Sequence, residues 1–220
     1  MNKLGLAILS LSIFLAACED PAANKAKAVT SNVSTPVASA NNSTATAPAT
    51  TKGESLAVTP DNSKVLFTAS KVTGKHDGGF NQFTGSINLV NVKAEESSVK
   101  VDIDAGSIFT DTEDLTKHLK SGDFFDVEKF PKASFASTAI VADAAKGANN
   151  YTVTGDLELH GVKKSVTFPA TIIVSANNVA VNAEFSINRK DFGIVYAGKP
   201  DDLIRDLVVI KLDLKTTRKQ

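Results

Sequence analysis

Three histidines are the residues of this chain whose chemistry could support a metal site or proton transfer. His76, His118 and His160 lie far apart in the sequence, and none stands at ligand spacing from another histidine, a cysteine or a carboxylate. We therefore predict no metal site and no cofactor. His118 and His160 are interpreted as hydrogen-bonding anchors between a helix and a strand end, with contact to a ligand head group as the alternative.

A second candidate site is the pair Arg189 and Lys190. A guanidinium presents a fork of donors that suits a phosphate or amide head group. The structural alternative is a turn in which Arg189 pairs with Asp191 or Asp123. Both interpretations are compatible with the sequence.

Nothing in the sequence predicts catalysis. No serine stands in a G-x-S-x-G elbow, and the single cysteine, Cys18, offers no free thiol if it is acylated. The carboxylates fall mainly on the outward faces of predicted strands, where they are solvated. The formal net charge of zero gives no electrostatic reason to expect nucleic acid as a partner. We expect a binding protein, not an enzyme.

The N-terminus predicts export and lipidation. Residues 1–17 have a basic start and an apolar run too short to span a bilayer, which is typical of a signal peptide. The run ends in Leu15-Ala16-Ala17-Cys18, which resembles a bacterial lipobox, with ordinary cleavage as the alternative. Several acyl chains on Cys18 would anchor the protein stably to the inner or outer membrane, facing the periplasm.

Residues 18–54 consist almost entirely of small and polar residues, so we predict a disordered tether. A flexible tether of this length would reach roughly 30–35 Å. It would hold the folded domain near the membrane and leave it free to turn.

Eight later segments alternate apolar and polar residues with a period of two, which is typical of half-buried strands. Gly78-Gly79 is predicted to be a turn between the first two. The alternation fits either an antiparallel barrel or a sandwich. The apolar positions are Val65, Phe67 and Ala69; Phe83, Ile87 and Leu89; Val99, Val101, Ile103 and Ala105; Phe135, Ala139 and Val141; Tyr151, Val153, Gly155, Leu157 and Leu159; Val166, Phe168, Ala170, Ile172 and Val174; Val179, Val181, Ala183, Phe185 and Ile187; and Val208, Ile210, Leu212 and Leu214.

A short helix and a dense apolar connection interrupt the strands between the third and the fourth. The helix should start near Asp114 and stop at Gly122, which can take the left-handed conformation that many helix ends need. Phe124 and Phe125 follow at once, flanked by Asp123 and Asp126. Such an apolar connection is predicted to pack down as a plug, braced by the two aspartates.

This stretch resembles the signature segment of the YceI-like, polyisoprenoid-binding family. The motif positions are His118, Leu119, Ser121, Asp123, Phe124, Phe125, Asp126, Phe130, Pro131, Phe135 and Ser137, and further agreement lies in Gly79-Phe80 with Phe83 and Gly85, in residues 155–162 and in residues 189–193. The chain departs from the family just before the helix, where Thr110 to Asp114 lacks the Arg-Asp pair of many members.

The resemblance implies that residues 55–220 form an all-β, eight-stranded antiparallel, lipocalin-like barrel that encloses an isoprenoid or similar amphiphile. Ordinary core packing is the alternative for each residue that we predict to line its cavity. These residues are Phe67, Phe83, Val101, Ile103, Phe124, Phe125, Phe135, Leu157, Phe168, Ile172, Phe185 and Ile210.

The predicted function is therefore that of a periplasm-facing lipoprotein that binds, stores or carries a long-chain lipid. Its expected partners are this lipid and, through the anchor, a membrane; a homodimer is left open. The rival hypothesis is a solidly packed, non-catalytic interaction module in an envelope-stress or cytochrome b561- and quinone-linked assembly. An empty apolar tunnel inside the barrel would favour the lipid carrier, and a filled core would favour the interaction module.

Overall fold

The protein is described by a computed structural model that covers residues 20–33 and 53–218. The predicted signal peptide, Cys18 and most of the predicted tether lie outside these residues. In the described part, no helix is both long and apolar enough to cross a membrane. The elements are β1 (Ala26–Lys27), β2 (Val29–Asn32), β3 (Glu54–Val58), β4 (Lys64–Lys71), β5 (Gly74–Phe80), β6 (Phe83–Val90), β7 (Lys93–Asp104), β8 (Ile108–Thr110), α1 (Glu113–Lys120), β9 (Lys132–Ala142), β10 (Asn150–Leu159), β11 (Val162–Val174), β12 (Asn178–Asn188), β13 (Gly198–Lys199), β14 (Asp202–Leu203) and β15 (Leu207–Thr217), with short 3-10 helices at Ala105–Ser107, Ala144–Lys146 and Arg189–Phe192.

One strongly curled antiparallel sheet dominates the structure. Its strands follow the order β3-β6-β7-β9-β10-β11-β12-β15-β4-β5-β8. The sheet curls far enough for Arg218, just after β15, to contact Glu54 of β3, with 2.9 Å between Nε and Oε2. The predicted all-β class and the short helix are confirmed. The predicted count of eight strands is not, because β3, β5 and β8 extend the path to eleven strands.

The predicted turn at Gly78-Gly79 is wrong, because both glycines lie inside β5 and pair with β4 and β8. A Cβ on Gly78 would lie 2.4 Å from the carbonyl oxygen of Phe109 and 2.6 Å from the Phe67 ring. The missing side chain therefore lets β8 and an aromatic ring approach the strand closely.

A β-bulge in β9 overturns the predicted inward positions of its second half. Thr154 pairs with Ala139, but the next residue, Gly155, pairs with Ser137, so β9 carries one extra residue at Thr138. The shift moves Ala139 and Val141, which were expected to face inward, to exposed positions, and Ile140 is buried instead.

Helix α1 ends differently from the prediction. Its C-cap is Ser121 in an extended conformation, with φ −75° and ψ 172°, and Gly122 does not take the left-handed conformation. The turn is completed further on by Asp126, whose φ is +44° and whose N–H donates to the Ser121 carbonyl over 2.9 Å. The side chain of Asp126 pairs with Lys129.

Residues 20–33, assigned to a disordered tether, form ordered structure on the sheet. Strands β11 and β12 pair only next to the turn that joins them, where Thr171–Val174 of β11 face Val179–Asn182 of β12, and they separate further from this turn. Strand β1 pairs in parallel with β12, and β2 pairs antiparallel with β11 at Lys164–Thr167. The segment thus fills the seam between the diverging strands. Backbone hydrogen bonding holds it there, so its lack of large apolar side chains does not keep it disordered.

Candidate functional site

An apolar cavity of about 200 Å³ lies inside the curled sheet. Alternate residues of β4, β7, β9, β10, β11, β12 and β15 form its walls, because strand side chains point to opposite faces in turn. Of the twelve residues predicted to line a cavity, Phe83 does not reach it and is packed in the core. The eleven that line it are Phe67, Val101, Ile103, Phe124, Phe125, Phe135, Leu157, Phe168, Ile172, Phe185 and Ile210.

A row of aromatic rings forms one wall of the cavity. Phe168 and Phe185 stack with their centroids 4.0 Å apart and their planes at 10°, and Phe135 lies 5.7 Å from Phe168 in a tilted arrangement. The Phe168–Phe185 stack lies three residues past the last β11–β12 pair, Thr171–Asn182. Ring packing therefore closes the wall where these two strands no longer share backbone hydrogen bonds.

The cavity is roofed at one end by irregular polypeptide. Leu119 of α1 and Phe124 of the plug are buried beside Ile194, which belongs to the loop of residues 189–206. His118 joins the two parts of the roof, because its ring makes edge contacts with Phe124 at 5.0 Å and with Tyr196 at 5.2 Å. We call this the roof end of the sheet; β4, β10 and β12 finish there.

His118 is a structural residue of the roof. Its Nε2 lies 2.8 Å from Oδ2 of Asp123, which fixes the imidazole against the plug. The prediction that Asp123 braces the plug agrees with this contact. The expected hydrogen bond from His118 to a strand end is absent from its described contacts.

His160 anchors a different part of the roof end. It forms a tight hairpin with Gly161 between β10 and β11, with φ of +52° and +71°, as a two-residue type I′ turn requires. Its Nδ1 lies 3.2 Å from the Phe192 carbonyl oxygen, and its ring packs 4.7 Å from Phe130. The turn thus holds the start of the 189–206 loop and the end of the plug.

Arg189 is buried beside the cavity, at 5% exposure, and organises the loop. Its guanidinium donates to the carbonyl oxygens of Arg205, Ile194 and Ile204 at 3.1, 2.8 and 3.4 Å. Burial lowers the pKa of Arg189, an effect that the carboxylate of Asp206 opposes from 3.6 Å.

These contacts give Arg189 a bracing role and leave no support in the geometry for head-group recognition. The predicted pairing with Asp191 or Asp123 is wrong, since Asp206 takes that place. Lys190 also pairs with Asp206, over 2.9 Å. His76 lies in β5, and its Nδ1 is 2.9 Å from Oδ1 of Asp111, just before α1.

Several roof residues were missed by the sequence reasoning. Ile194 and Ile204 line the cavity, and Tyr196 packs on the plug, but all three lie in a loop without strand periodicity. The available signal was the density of apolar residues in an otherwise polar connection, as in the plug.

The lining determines the chemistry of the cavity. Apart from the guanidinium of Arg189, whose contacts are internal, its walls are hydrocarbon. Among the described residues, no three His, Cys, Asp or Glu side chains cluster in a way that could hold a metal ion. The cavity can therefore hold an apolar guest. An engineered cavity of about 150 Å³ accepts benzene, so this space suits a guest somewhat larger than that.

Comparison with known proteins identifies relatives of this chain. A YceI-like domain matches residues 56–216. A UPF0312 protein from Pseudomonas putida is 39% identical over 123 residues, which make up 53% of this chain and 62% of the relative. The matched part thus spans less than two thirds of that relative's length.

Two solved structures share the fold. BcnA from Burkholderia cenocepacia superimposes with a TM-score of 0.62 and 26% identity, over 72% of this chain and 98% of BcnA. A polyisoprenoid-binding domain from Saccharophagus degradans, implicated in plant cell wall breakdown, gives a TM-score of 0.61 over 76% of this chain and all of that domain. At 17% identity, the second likeness shows the fold alone.

Proposed function

Because this chain belongs to the YceI-like family, we propose that it binds an isoprenoid or another long-chain amphiphilic lipid in the cavity under the roof. The observation that carries this proposal is the roofed, hydrocarbon-walled space of about 200 Å³. The fold it shares with a polyisoprenoid-binding domain supports the choice of ligand class. Burial of each CH₂ group contributes about 0.8 kcal/mol, so even a short stretch of chain gains affinity.

The size of the cavity limits how such a ligand binds. A guest only somewhat larger than benzene fills it, so a long prenyl chain either leaves part of itself outside or displaces roof side chains. Phe124 and Phe125 are the side chains best placed to move, because they sit on an irregular connection and line the space. The paired strands of the wall are far harder to displace.

The proposed setting is the periplasmic face of a membrane. Cys18, if acylated, would attach the chain to the inner or outer membrane, and the sheet would present its cavity to lipids nearby. Binding, storage or carriage of the lipid then needs no catalytic group. In competition with a bilayer, which is also apolar, net transfer depends on the fit of the guest and on its head group.

Native mass spectrometry with a matched pair of variants tests the proposal. Ala133 and Ala139 lie in the same strand, but Ala133 lines the cavity and Ala139 is exposed beyond the bulge. Ala133→Phe should fill the space, whereas Ala139→Phe should leave it unchanged. We expect geranylgeraniol or oleic acid to add its mass to the wild type and to Ala139→Phe, and to be lost from Ala133→Phe.

Two results would count against lipid binding. One is a wild-type protein that carries no lipid after mild purification and takes up neither probe. The other is equal uptake by both alanine variants, which would place the ligand elsewhere. The first result would favour the rival function, a non-catalytic interaction module.

A further inference from the structure

The N-terminal segment, residues 20–33, is docked on the sheet through strands β1 and β2. It fills the seam between β11 and β12, with Ala28 buried and its N–H donating to the Ser186 carbonyl over 2.8 Å. Ion pairs fasten the segment to β12 and to the 189–206 loop: Lys25 pairs with Glu184 at 2.9 Å, and Asp20 lies 3.7 Å from Nη1 of Arg205.

Arg205 belongs to the loop of residues 189–206, so the segment begins at the roof end of the sheet. Its carbonyl oxygen accepts the hydrogen bond from Arg189, and its N–H donates to the Ser70 carbonyl over 2.9 Å. Cys18 precedes Asp20 by two residues, and an extended chain of this length spans at most roughly 7 Å. A lipid anchor on Cys18 would therefore attach beside the roof and not at the far end of a long tether.

The same end carries exposed apolar side chains. Val195 is 64% exposed, Leu203 49% and Val72 53%. Val72 lies in the β4–β5 turn and donates its N–H to the Leu203 carbonyl over 3.1 Å. Asp202 fixes this arrangement, since its carboxylate accepts from Lys71 and from the Thr73 hydroxyl. We call Val72, Val195 and Leu203 the rim patch.

We propose that the docked segment orients the protein so that the rim patch lies against the lipid bilayer that holds Cys18. A bilayer is the occupant that fits, because an acylated Cys18, two residues before Asp20, would bring the membrane beside this apolar surface. The roof of the cavity then faces the bilayer, and an apolar ligand passes between the two without crossing water. This inference rests on the lipid anchor of the proposed function.

Orientation can be measured with single tryptophans, because the chain contains none. The protein used is the chain that starts at Cys18, which contains every described residue. Its only cysteine can be coupled to a maleimide lipid in vesicles of phosphatidylcholine and phosphatidylglycerol, which imposes the anchor whether or not cells acylate it. Leu203→Trp places a probe in the rim patch. Ile173→Trp, near the opposite end and 44% exposed, is its matched control.

We expect brominated phospholipid to quench most of the Leu203→Trp emission and little of the Ile173→Trp emission. Equal quenching of the two probes, or no quenching of Leu203→Trp, would overturn the inference. Because this readout does not involve the cavity, loss of lipid uptake with intact quenching would refute the proposed function alone.

A second pair of variants tests the role of the docked segment. Ala28→Asp places a carboxylate at a buried position, and Ala26→Asp places the same group at an exposed one. In the Leu203→Trp background, Ala28→Asp should release the segment and lower the quenching to the Ile173→Trp level, whereas Ala26→Asp should preserve it. Quenching that survives the release of the segment would show that docking does not set the orientation.

Discussion

The two ends of the curled sheet are closed in different ways. At the roof end, a helix, an aromatic plug and the 189–206 loop cover a cavity of about 200 Å³. At the opposite end, Ile87, Leu89 and Val179 fill the space between the strands, and the void among them is only about 10 Å³. That volume holds at most one water molecule.

The difference is also one of construction. Tight turns such as Asn91-Val92 join the strands at the filled end, so its backbone hydrogen bonds are made within the sheet. The roof contains long irregular connections, whose polar backbone groups need side-chain partners. Arg189 and His160 contact carbonyl groups of these connections, and His118 holds the plug through the Asp123 carboxylate. Binding is thus expected at the end whose structure depends on individual side chains, and substitution of these side chains should affect the roof end more than the filled end.

The largest effect is expected from Arg189→Met. The change leaves three carbonyl oxygens without their donor. Each buried acceptor that is left unpaired lowers the free energy of unfolding by about 1–3 kcal/mol. Because water can reach some of them, we expect the free energy of unfolding to fall by about 3 kcal/mol. Urea unfolding measures the loss, and amide hydrogen exchange of residues 194–206 should rise more than that of the filled end.

Lys190→Met is the control for this change. Lys190 is adjacent, 46% exposed and paired with the same Asp206, so its loss should change stability by less than about 1 kcal/mol. Equal destabilisation by the two variants would mean that Arg189 acts through Asp206 and not through the carbonyl groups of the loop.

Gly161→Ala should have an intermediate effect at the roof end. A Cβ at this position would lie 2.4 Å from the Phe130 ring, and φ is +71°. We expect a loss of about 1–3 kcal/mol, from strain and from displacement of Phe130. Thermal unfolding measures it. Gly74→Ala is the control, because no atom lies within 4 Å of its new Cβ. If Gly161→Ala does not lower the stability measured by thermal unfolding, the Phe130 contact does not hold the roof.

The strands of the sheet wall were largely predictable because burial on one face imposes a period of two. Strand β5, with the sequence GKHDGGF, has little apolar alternation, and its glycines signal a turn although they serve close strand approach. The bulge at Thr138 has no sequence signal. Strands β1 and β2 were missed because backbone pairing in a seam depends on the divergence of β11 and β12, which local sequence does not encode.

The cavity was predictable where it is formed by strands and unpredictable where it is formed by loops. Alternation predicts that Phe168 and Phe185 face inward, and the family resemblance predicts that the inward side holds a cavity. Ile194 and Ile204 line the cavity from a loop that Arg189 helps to hold through their carbonyl oxygens, and these contacts exist only in the folded loop. From its sequence context, Arg189 was predicted to contact a ligand or a carboxylate, whereas its partners in the fold are backbone carbonyl groups.

The smallest effect is expected at the filled end, from Val92→Gly. Val92 has φ of +60°, which costs a residue with a Cβ about 1–2 kcal/mol and a β-branched residue at least as much. Glycine removes this strain but loses about 0.5–1 kcal/mol in conformational entropy on folding. Since Val92 is 52% exposed, little burial is lost, and we expect a net gain of roughly 0.5 kcal/mol in thermal unfolding.

Asn91→Gly in the same turn provides the matched comparison. Asparagine tolerates its φ of +50°, and its side-chain amide donates to Glu96 over 2.6 Å, so glycine there relieves little strain and removes a contact. We expect no gain in stability. If Val92→Gly stabilises the protein without changing lipid uptake in native mass spectrometry, the filled end contributes stability independently of the cavity. A change in uptake would instead show that the two ends are coupled through the sheet.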